Sequence, residues 1–291
     1  MQKRAYLLIA AGAVLWGTIG IFVRGFYGFG FSPLQVVTLR VFSAAVIMLI
    51  YLLLTRPELL KIRVQDSLYF VGTGIFSLAF FNLCYFSTIR ETSIAIAVTL
   101  LYTAPAFVAV LSRVFFRESL AAKKLFSLGL TLVGCAFVTG YLPGLGDSLP
   151  ISRPGLLTGL GAGFGYALYS IFGKAALKKY HTMTIAAYTF IFASLALLPL
   201  SNFKNSAGAF STGSFWIYLA GLGFFPTVLA YLLYTKGLEE VESGRASIVA
   251  TVEPVVGTFV GFFFFREMLS GWQLAGVLLV LVAVVLIQER K

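Results

Sequence analysis

Residues 252–267 read VEPVVGTFVGFFFFRE, an apolar run with one acid and one proline near its start and an Arg-Glu pair at its close. The same punctuation occurs at residues 103–118, TAPAFVAVLSRVFFRE, where Pro105 and Arg117-Glu118 stand 149 positions before Pro254 and Arg266-Glu267. That offset holds without a gap over the preceding stretch, setting Tyr69 on Tyr218, Gly72 on Gly221, Gly74 on Gly223 and Tyr85 on Tyr234. It also sets Phe115-Phe116 on Phe264-Phe265 and Leu120 on Leu269. At an offset of 150, GAVLWGTIGIFVR (12–24) overlies AGFGYALYSIFGK (162–174), pairing Trp16 with Tyr166 and Arg24 with Lys174. One register kept over about fifty residues marks a duplicated unit.

Composition says where such a unit lives. The chain has 291 residues, of which 59% are hydrophobic and 11% charged, and its mean hydropathy is +0.93. Soluble domains carry roughly 25% charged residues, and so little polar surface could not cover so much apolar side chain in water. Soluble enzymes, nucleic-acid binders and disordered chains are excluded. The net charge of +11 comes from 22 Lys and Arg against 11 Asp and Glu. These occur in ones, twos and threes between apolar blocks, with no run able to track a phosphate backbone. Cys84 and Cys135 both lie inside apolar blocks, so no disulfide framework is expected. The stretch after Met1–Arg4 stays apolar to Val23, the ~20 residues of a retained span rather than a signal peptide.

Apolar blocks bounded by charges or Gly/Pro clusters place ten spans near 5–23, 33–55, 67–88, 93–116, 124–141, 154–173, 182–201, 214–235, 243–264 and 270–287. Lipid cannot satisfy an open sheet edge, and a barrel would show alternating segments of about ten residues. Fifteen Lys and Arg fall on one side of these spans, five on the other, and Arg40 and Arg113 within them. The positive-inside bias puts both termini in the cytoplasm. Since five spans per unit is odd, the second unit enters the membrane in the opposite sense. The expected fold is an all-α integral membrane protein of ten transmembrane helices in two inverted-topology five-helix repeats. The units are 1–141 and 154–291, joined by an external linker, LPGLGDSLPISR, at 142–153. The fifth and tenth spans, with almost no polar side chains, should lie peripherally.

These marks resemble the EamA family of the drug/metabolite transporter superfamily. They are LWG at 15–17, Arg40 in the second span, FFRESL at 115–120 closing the fourth, and VEPVVGTFVGFFFFRE at 252–267 forming the ninth. The resemblance covers nearly the whole chain. It implies secondary transport of small metabolites, commonly amino-acid export, by alternating access through a central cavity, and leaves the substrate open.

Polar groups inside the spans are the candidate site. Glu253 lies ten residues past Ser243, about 15 Å into the ninth span and near the bilayer midplane. A carboxylate there needs a wet cavity, a cation or a proton, so substrate recognition or proton coupling competes with a structural hydrogen-bonded role beside the Pro254 kink. Its repeat mate is Ala104. Arg40, about 10 Å inside the second span, is a candidate charge partner for Glu253, directly or through water, with packing as the equal alternative. Substrate-binding candidates are Trp16 with its mate Tyr166, Asn82 with its mate Tyr231, and Tyr85, Tyr102 and Glu253. Paired residues about a pseudo-two-fold axis should converge on one central site. Any single aromatic among 14 Tyr and 29 Phe could equally face lipid or core.

The remaining marks read as structure. The two Arg-Glu pairs terminate spans and could touch a gate, Arg113 snorkels, and His181 is solvated in a basic loop. Glycines 159, 161, 163 and 165 are for close helix packing. No cofactor, catalytic residue or metal site is expected. HExxH is absent, the single His lies outside the spans, only one acid is deep, and no GxxxxGK[ST] loop exists. The expected partners are a small-molecule substrate and the lipid bilayer of the cell membrane, with proton coupling as one reading, the coupling ion left open, and no nucleic acid. The sequence carries no signal of oligomeric state. The competing functional class is a channel, or an importer of a cationic amine such as a quaternary ammonium compound.

Overall fold

The computed structural model describes residues 2–140, 152–266 and 268–288, without the side chains of 204–207. Among the described residues there is no strand. The first part of the chain holds α1 (Gln2–Gly17), α2 (Ile19–Gly28), α3 (Pro33–Thr55), α4 (Ser67–Val71), α5 (Phe80–Glu91), α6 (Ile94–Leu101), α7 (Ala104–Phe116) and α8 (Ala122–Val138). The second holds α9 (Arg153–Ala176), α10 (Thr182–Leu197), α11 (Gly213–Gly223), α12 (Ala230–Leu238), α13 (Ser243–Ala250), α14 (Val252–Phe265) and α15 (Gly271–Gln288). Joined end to end where continuous, they supply nine helical stretches long and apolar enough to cross a membrane. The fifth expected span, α8, has only 17 residues, about 25 Å of helix against a hydrocarbon core of about 30 Å. The linker at 142–153 lies, but for its last two residues, outside the described residues, as does Glu267.

Breaks occur at matching places in the two parts. Pro105 and Pro254 lack an N–H, and their rings would strike a carbonyl one turn back. The chain therefore resets just before each. Thr103 N donates to Leu100 O at 3.1 Å between α6 and α7, and Thr251 N to Ile248 O at 3.2 Å between α13 and α14. The expected single ninth helix is thus two half-helices. Wide π-helical turns occupy Gly72–Ala79, between α4 and α5, and Phe224–Leu229, between α11 and α12. Both α7 and α14 stop on an arginine in the left-handed region, Arg117 and Arg266, each at φ 57°. That conformation costs a non-glycine residue about 1 kcal/mol and turns the chain sharply out of the helix.

Loops gather at two ends. One end carries the turns at 28–33, 91–94 and 265–271, whose residues border common cavities. The other carries 55–67, 116–122, 176–182 and 238–243, tied by polar contacts such as Lys179–Asp66 and Thr182–Glu239. The two spans expected at the periphery, α8 and α15, pack chiefly against each other. They meet through Gly134 and Gly276, where a Cβ on Gly276 would stand 2.6 Å from Val138 N and 2.7 Å from Gly134 O. The glycine series of α9 packs both ways: 159 and 163 against Leu100, 161 and 165 against Cys84 and Phe81.

Candidate functional site

The breaks decide what the middle of the bundle contains. Because α14 restarts at Val252, Glu253 lies in the first turn of a new helix, where free backbone N–H groups and the positive end of the helix dipole favour a carboxylate. Its Oε2 accepts a hydrogen bond of 2.8 Å from the Tyr166 hydroxyl, half-way along α9. Pro254 therefore changes the environment of the acid as well as bending the span. The small face expected at Ala246, Ala250, Gly257 and Gly261 is split by the same break. Gly257 and Gly261 open onto one cavity, while Ala250 lines a small void and Ala246 is fully buried.

Aromatic rings surround this acid. Trp16, in the last turn of α1, lies edge-on to Tyr231 at 5.1 Å and to Tyr166 at 6.4 Å between centroids. Tyr231 opens α12 just beyond the π-helical turns and meets Tyr169 at 4.9 Å and Phe190 at 5.3 Å. Phe81 presents its edge to Tyr166 at 5.6 Å. Edge-to-face contacts of this kind add about 0.5–1.5 kcal/mol each beyond area burial, enough to fix ring positions. Asn82 donates Nδ2 to the Leu78 carbonyl at 2.7 Å, and Tyr85 follows it one turn on. Tyr102 caps α6 at the break.

All eight expected residues, Trp16, Arg40, Asn82, Tyr85, Tyr102, Tyr166, Tyr231 and Glu253, line one cavity of about 660 Å³. A second cavity of about 680 Å³ shares Trp16, Tyr85, Tyr102 and Glu253 and runs to Ile94, Met268, Leu269 and Gln273 at one end of the bundle. On its other side, the voids lined by Tyr166, Ser170 and Tyr234 hold only about 10 Å³ each. Among the described residues, the large cavities that reach Glu253 border the end carrying Phe31, Ile94, Met268 and Gln273.

Arg40 makes the packing contact that stood as the alternative to a Glu253 partner. It is 8% exposed, and its Nε donates to Thr227 Oγ1 at 3.0 Å rather than pairing with Glu253. Thr227 sits in the π-helical stretch and itself donates to Leu222 O at 2.7 Å. The guanidinium thus borders the cavity, anchored through Nε on Thr227 and with Tyr231 as a further neighbour, and Arg40 and Glu253 place their charges on one largely aromatic wall. Thr227 and Phe81 went unrecognised in the sequence. Pro226, inside an apolar span, was the one signal that could have drawn attention to Thr227. Of the residues read as structural, Arg113 reaches back to the Glu118 carbonyl at 3.4 Å, and His181 Nδ1 accepts from Met183 N at 3.2 Å, capping α10. Among the described residues no cluster of His, Cys, Asp and Glu could hold a metal.

This architecture has relatives. Residues 3–140 and 153–288 match the EamA-like transporter family. An uncharacterized transporter of Archaeoglobus fulgidus is 32% identical over 280 residues, covering 96% of this chain and 94% of that protein. The uncharacterized transporter YyaM of Bacillus subtilis is 23% identical, covering 88% of this chain and 85% of that one. A protein of known crystal structure superposes with a TM-score of 0.80 at 19% identity, over 98% of this chain and 96% of that one, a likeness of fold.

Proposed function

Because the chain belongs to the EamA-like transporter family, a family of multi-pass membrane transporters, we propose that it is a secondary carrier for a small polar or amphipathic metabolite, an amino acid or related compound. The substrate moves by alternating access, in the export direction that the family resemblance implies. The observation that carries this reading is the cavity itself. One carboxylate, one anchored guanidinium and a ring of aromatics face a space of about 660 Å³, the size and chemistry of a small-ligand site. Two inverted five-helix repeats, 1–141 and 154–291, are the architecture we assign, with α8 as the short fifth span. The matched breaks, π-helical turns and left-handed helix ends of the two parts support it. Basic-residue asymmetry supports cytoplasmic termini in the cell membrane.

Trp16, Asn82, Tyr85, Tyr102, Tyr166 and Tyr231 form the substrate wall in this reading, while Glu253 recognises a cationic group or carries a coupling proton. The test is counterflow in proteoliposomes against a panel of amino acids, amines, nucleosides and vitamins, preceded by a thermal-shift screen. Exchange of labelled for unlabelled substrate supports a carrier. Non-saturating flux with no counterflow indicates a channel. The aromatic wall beside Glu253 favours one second reading, import of a quaternary ammonium compound held by cation–π contacts. Counterflow restricted to such amines would select it.

A further inference from the structure

The end of the bundle away from the large cavities holds a charged cluster that neither cavity includes. The left-handed turn at Arg117 swings Glu118 away from α7, and its carboxylate crosses to the N-terminus of α13 in the second half of the chain. Oε1 accepts from Ser243 N at 2.7 Å, and Oε2 from Gly244 N at 3.1 Å. Lys124, in the first turn of α8, donates Nζ to Glu118 Oε2 at 3.0 Å and to Glu242 Oε2 at 3.3 Å. The side chains of Glu118 and Lys124 are 7% and 5% exposed. A Cβ on Gly244 would collide with the Lys124 side chain, so the fit is close.

Burial alone would raise the Glu118 carboxyl, yet the Lys124 ammonium and the two backbone N–H groups outweigh it and hold the group below the usual carboxylate range. Glu118 therefore stays ionised at physiological pH. Separating it without water would leave a buried anion and a buried cation unpaired, which the fold does not tolerate. Release and flooding of this end must occur together.

The opposite end is built differently. The 149-residue offset sets Ile94-Ala95 where Ser243-Gly244 stand, and these line the 680 Å³ cavity. The same offset replaces Lys124 by Gln273, whose Oε1 caps its own helix by accepting from Ser270 N at 2.9 Å. The repeat position of the bridging lysine thus carries an uncharged amide.

We infer that Glu118 and Lys124 are positioning residues of the transport cycle, a latch between the two halves that holds the cavity shut at this end and must release for it to open there. The inference rests on the carrier reading and adds to it which contacts set the direction of access. The test uses the full chain, purified and reconstituted, with Cys84→Ser and Cys135→Ala, and one reporter cysteine at a time. Ser247→Cys reports the latched end, where Ser247 is 6% exposed, and Ala95→Cys reports the open end. The probe is a membrane-impermeant maleimide applied to both faces. With the latch intact, Ala95→Cys should react and Ser247→Cys should be shielded. In Glu118→Gln the new amide must turn its N–H groups toward Lys124 or a backbone N–H, donor against donor. Labelling at Ser247→Cys should then rise about tenfold or more while labelling at Ala95→Cys falls. Lys124→Gln should move both reporters the same way. Glu242→Gln, which leaves the Glu118–Lys124 bond in place, should do so by a smaller factor and serves if the others fail to fold. Continued shielding of Ser247→Cys in the folded variants would overturn the latch, and so would equal acceleration at both reporters, the sign of a loosened fold. Counterflow is scored separately. A chain that exchanges substrate while Ser247→Cys stays shielded loses the latch and keeps the carrier reading.

Discussion

The bond between Tyr166 and Glu253 reports the charge on the acid at the centre of the cavity. The perturbation is a double-mutant cycle of Tyr166→Phe, Glu253→Gln and the pair. The hydroxyl lies 2.8 Å from Oε2, a length suited to either a charged or a neutral acceptor, so energy must decide. Side-chain hydrogen bonds between helices in membranes average about 0.6 kcal/mol and reach about 1.7. A bond to an ionised carboxylate contributes about 1.5–3 kcal/mol. With Glu253 at the positive end of α14, we expect the charged value at pH 8, a coupling of about 1.5–3 kcal/mol, or roughly 10- to 150-fold in the unfolding constant. The assay is reversible unfolding in mixed micelles of the four proteins at pH 8. Ligand affinity of the same four, once the screen supplies a ligand, shows whether the bond also orients the acid for binding. A coupling below about 0.5 kcal/mol with all four proteins folded would refute the reasoning, because two groups sharing that bond cannot be energetically independent. A coupling near 0.6 kcal/mol would mean a protonated acid, and proton coupling would then rest on a group already neutral in this conformation.

Thr227→Val should destabilise the protein by about 1–3 kcal/mol, since Arg40 Nε loses its partner while remaining buried; Thr227→Ser should restore most of that in the same unfolding assay. Gly276→Leu should cost at least about 1–3 kcal/mol by forcing α15 off α8, seen as a lowered unfolding midpoint with the cavity ligand still bound by the folded fraction. Acid should release the latch before it unfolds the bundle. The Glu118 carboxyl is held below its ordinary value of 4.5, so its contribution is complete above that pH and is lost as pH falls through the folded-state value. Glu118→Gln should flatten that acid limb of the midpoint-against-pH curve, while Lys124, Glu242 and Lys174, the charged groups facing Glu118, stay in place. Topology is checked by Gly28→Cys and Gln65→Cys, both exposed: the first should label from outside intact cells and the second only after permeabilisation.

How much of this was readable in one dimension follows from what each feature depends on. Span positions follow from apolar length, because the bilayer demands about 20 residues of helix and tolerates few charges. The breaks at Thr103 and Thr251 follow from Pro105 and Pro254, whose missing N–H is a local fact. Trp16, Asn82, Tyr166 and Tyr231 could be set on one cavity because duplication preserves helical phase, so a pair at equal offset faces a shared axis. The π-helical turns of Gly72–Ala79 and Phe224–Leu229 carry no such local mark. They add a residue to a turn and rotate everything beyond, which is how Thr227 comes to face Arg40. Depth along the helix was right, but direction around it depends on an insertion that hydropathy does not register.

Glu118 shows the same limit at a helix end. As a letter it reads as part of a span terminator, since an Arg-Glu pair after an apolar run is what a helix leaving lipid displays. Its direction is set by one backbone angle, the left-handed φ of Arg117, and its partner lies 125 residues away. The repeat hides its importance further, because Arg266-Glu267 looks identical in sequence and only the next positions differ: Lys124 against Gln273, Ala121 against Ser270. At one end the helix after the pair has no side-chain cap, which leaves its lysine free to bridge. At the other the helix is capped by its own Ser270 and Gln273. A duplicated scaffold with unequal chemistry at its two ends, and with Glu253 opposite Ala104 at its centre, cannot have two equally stable conformations in the absence of ligand. Under the proposed carrier and latch, the resting state has the latched end closed, and whatever turns it over supplies the differential binding that breaks the Glu118–Lys124 contacts.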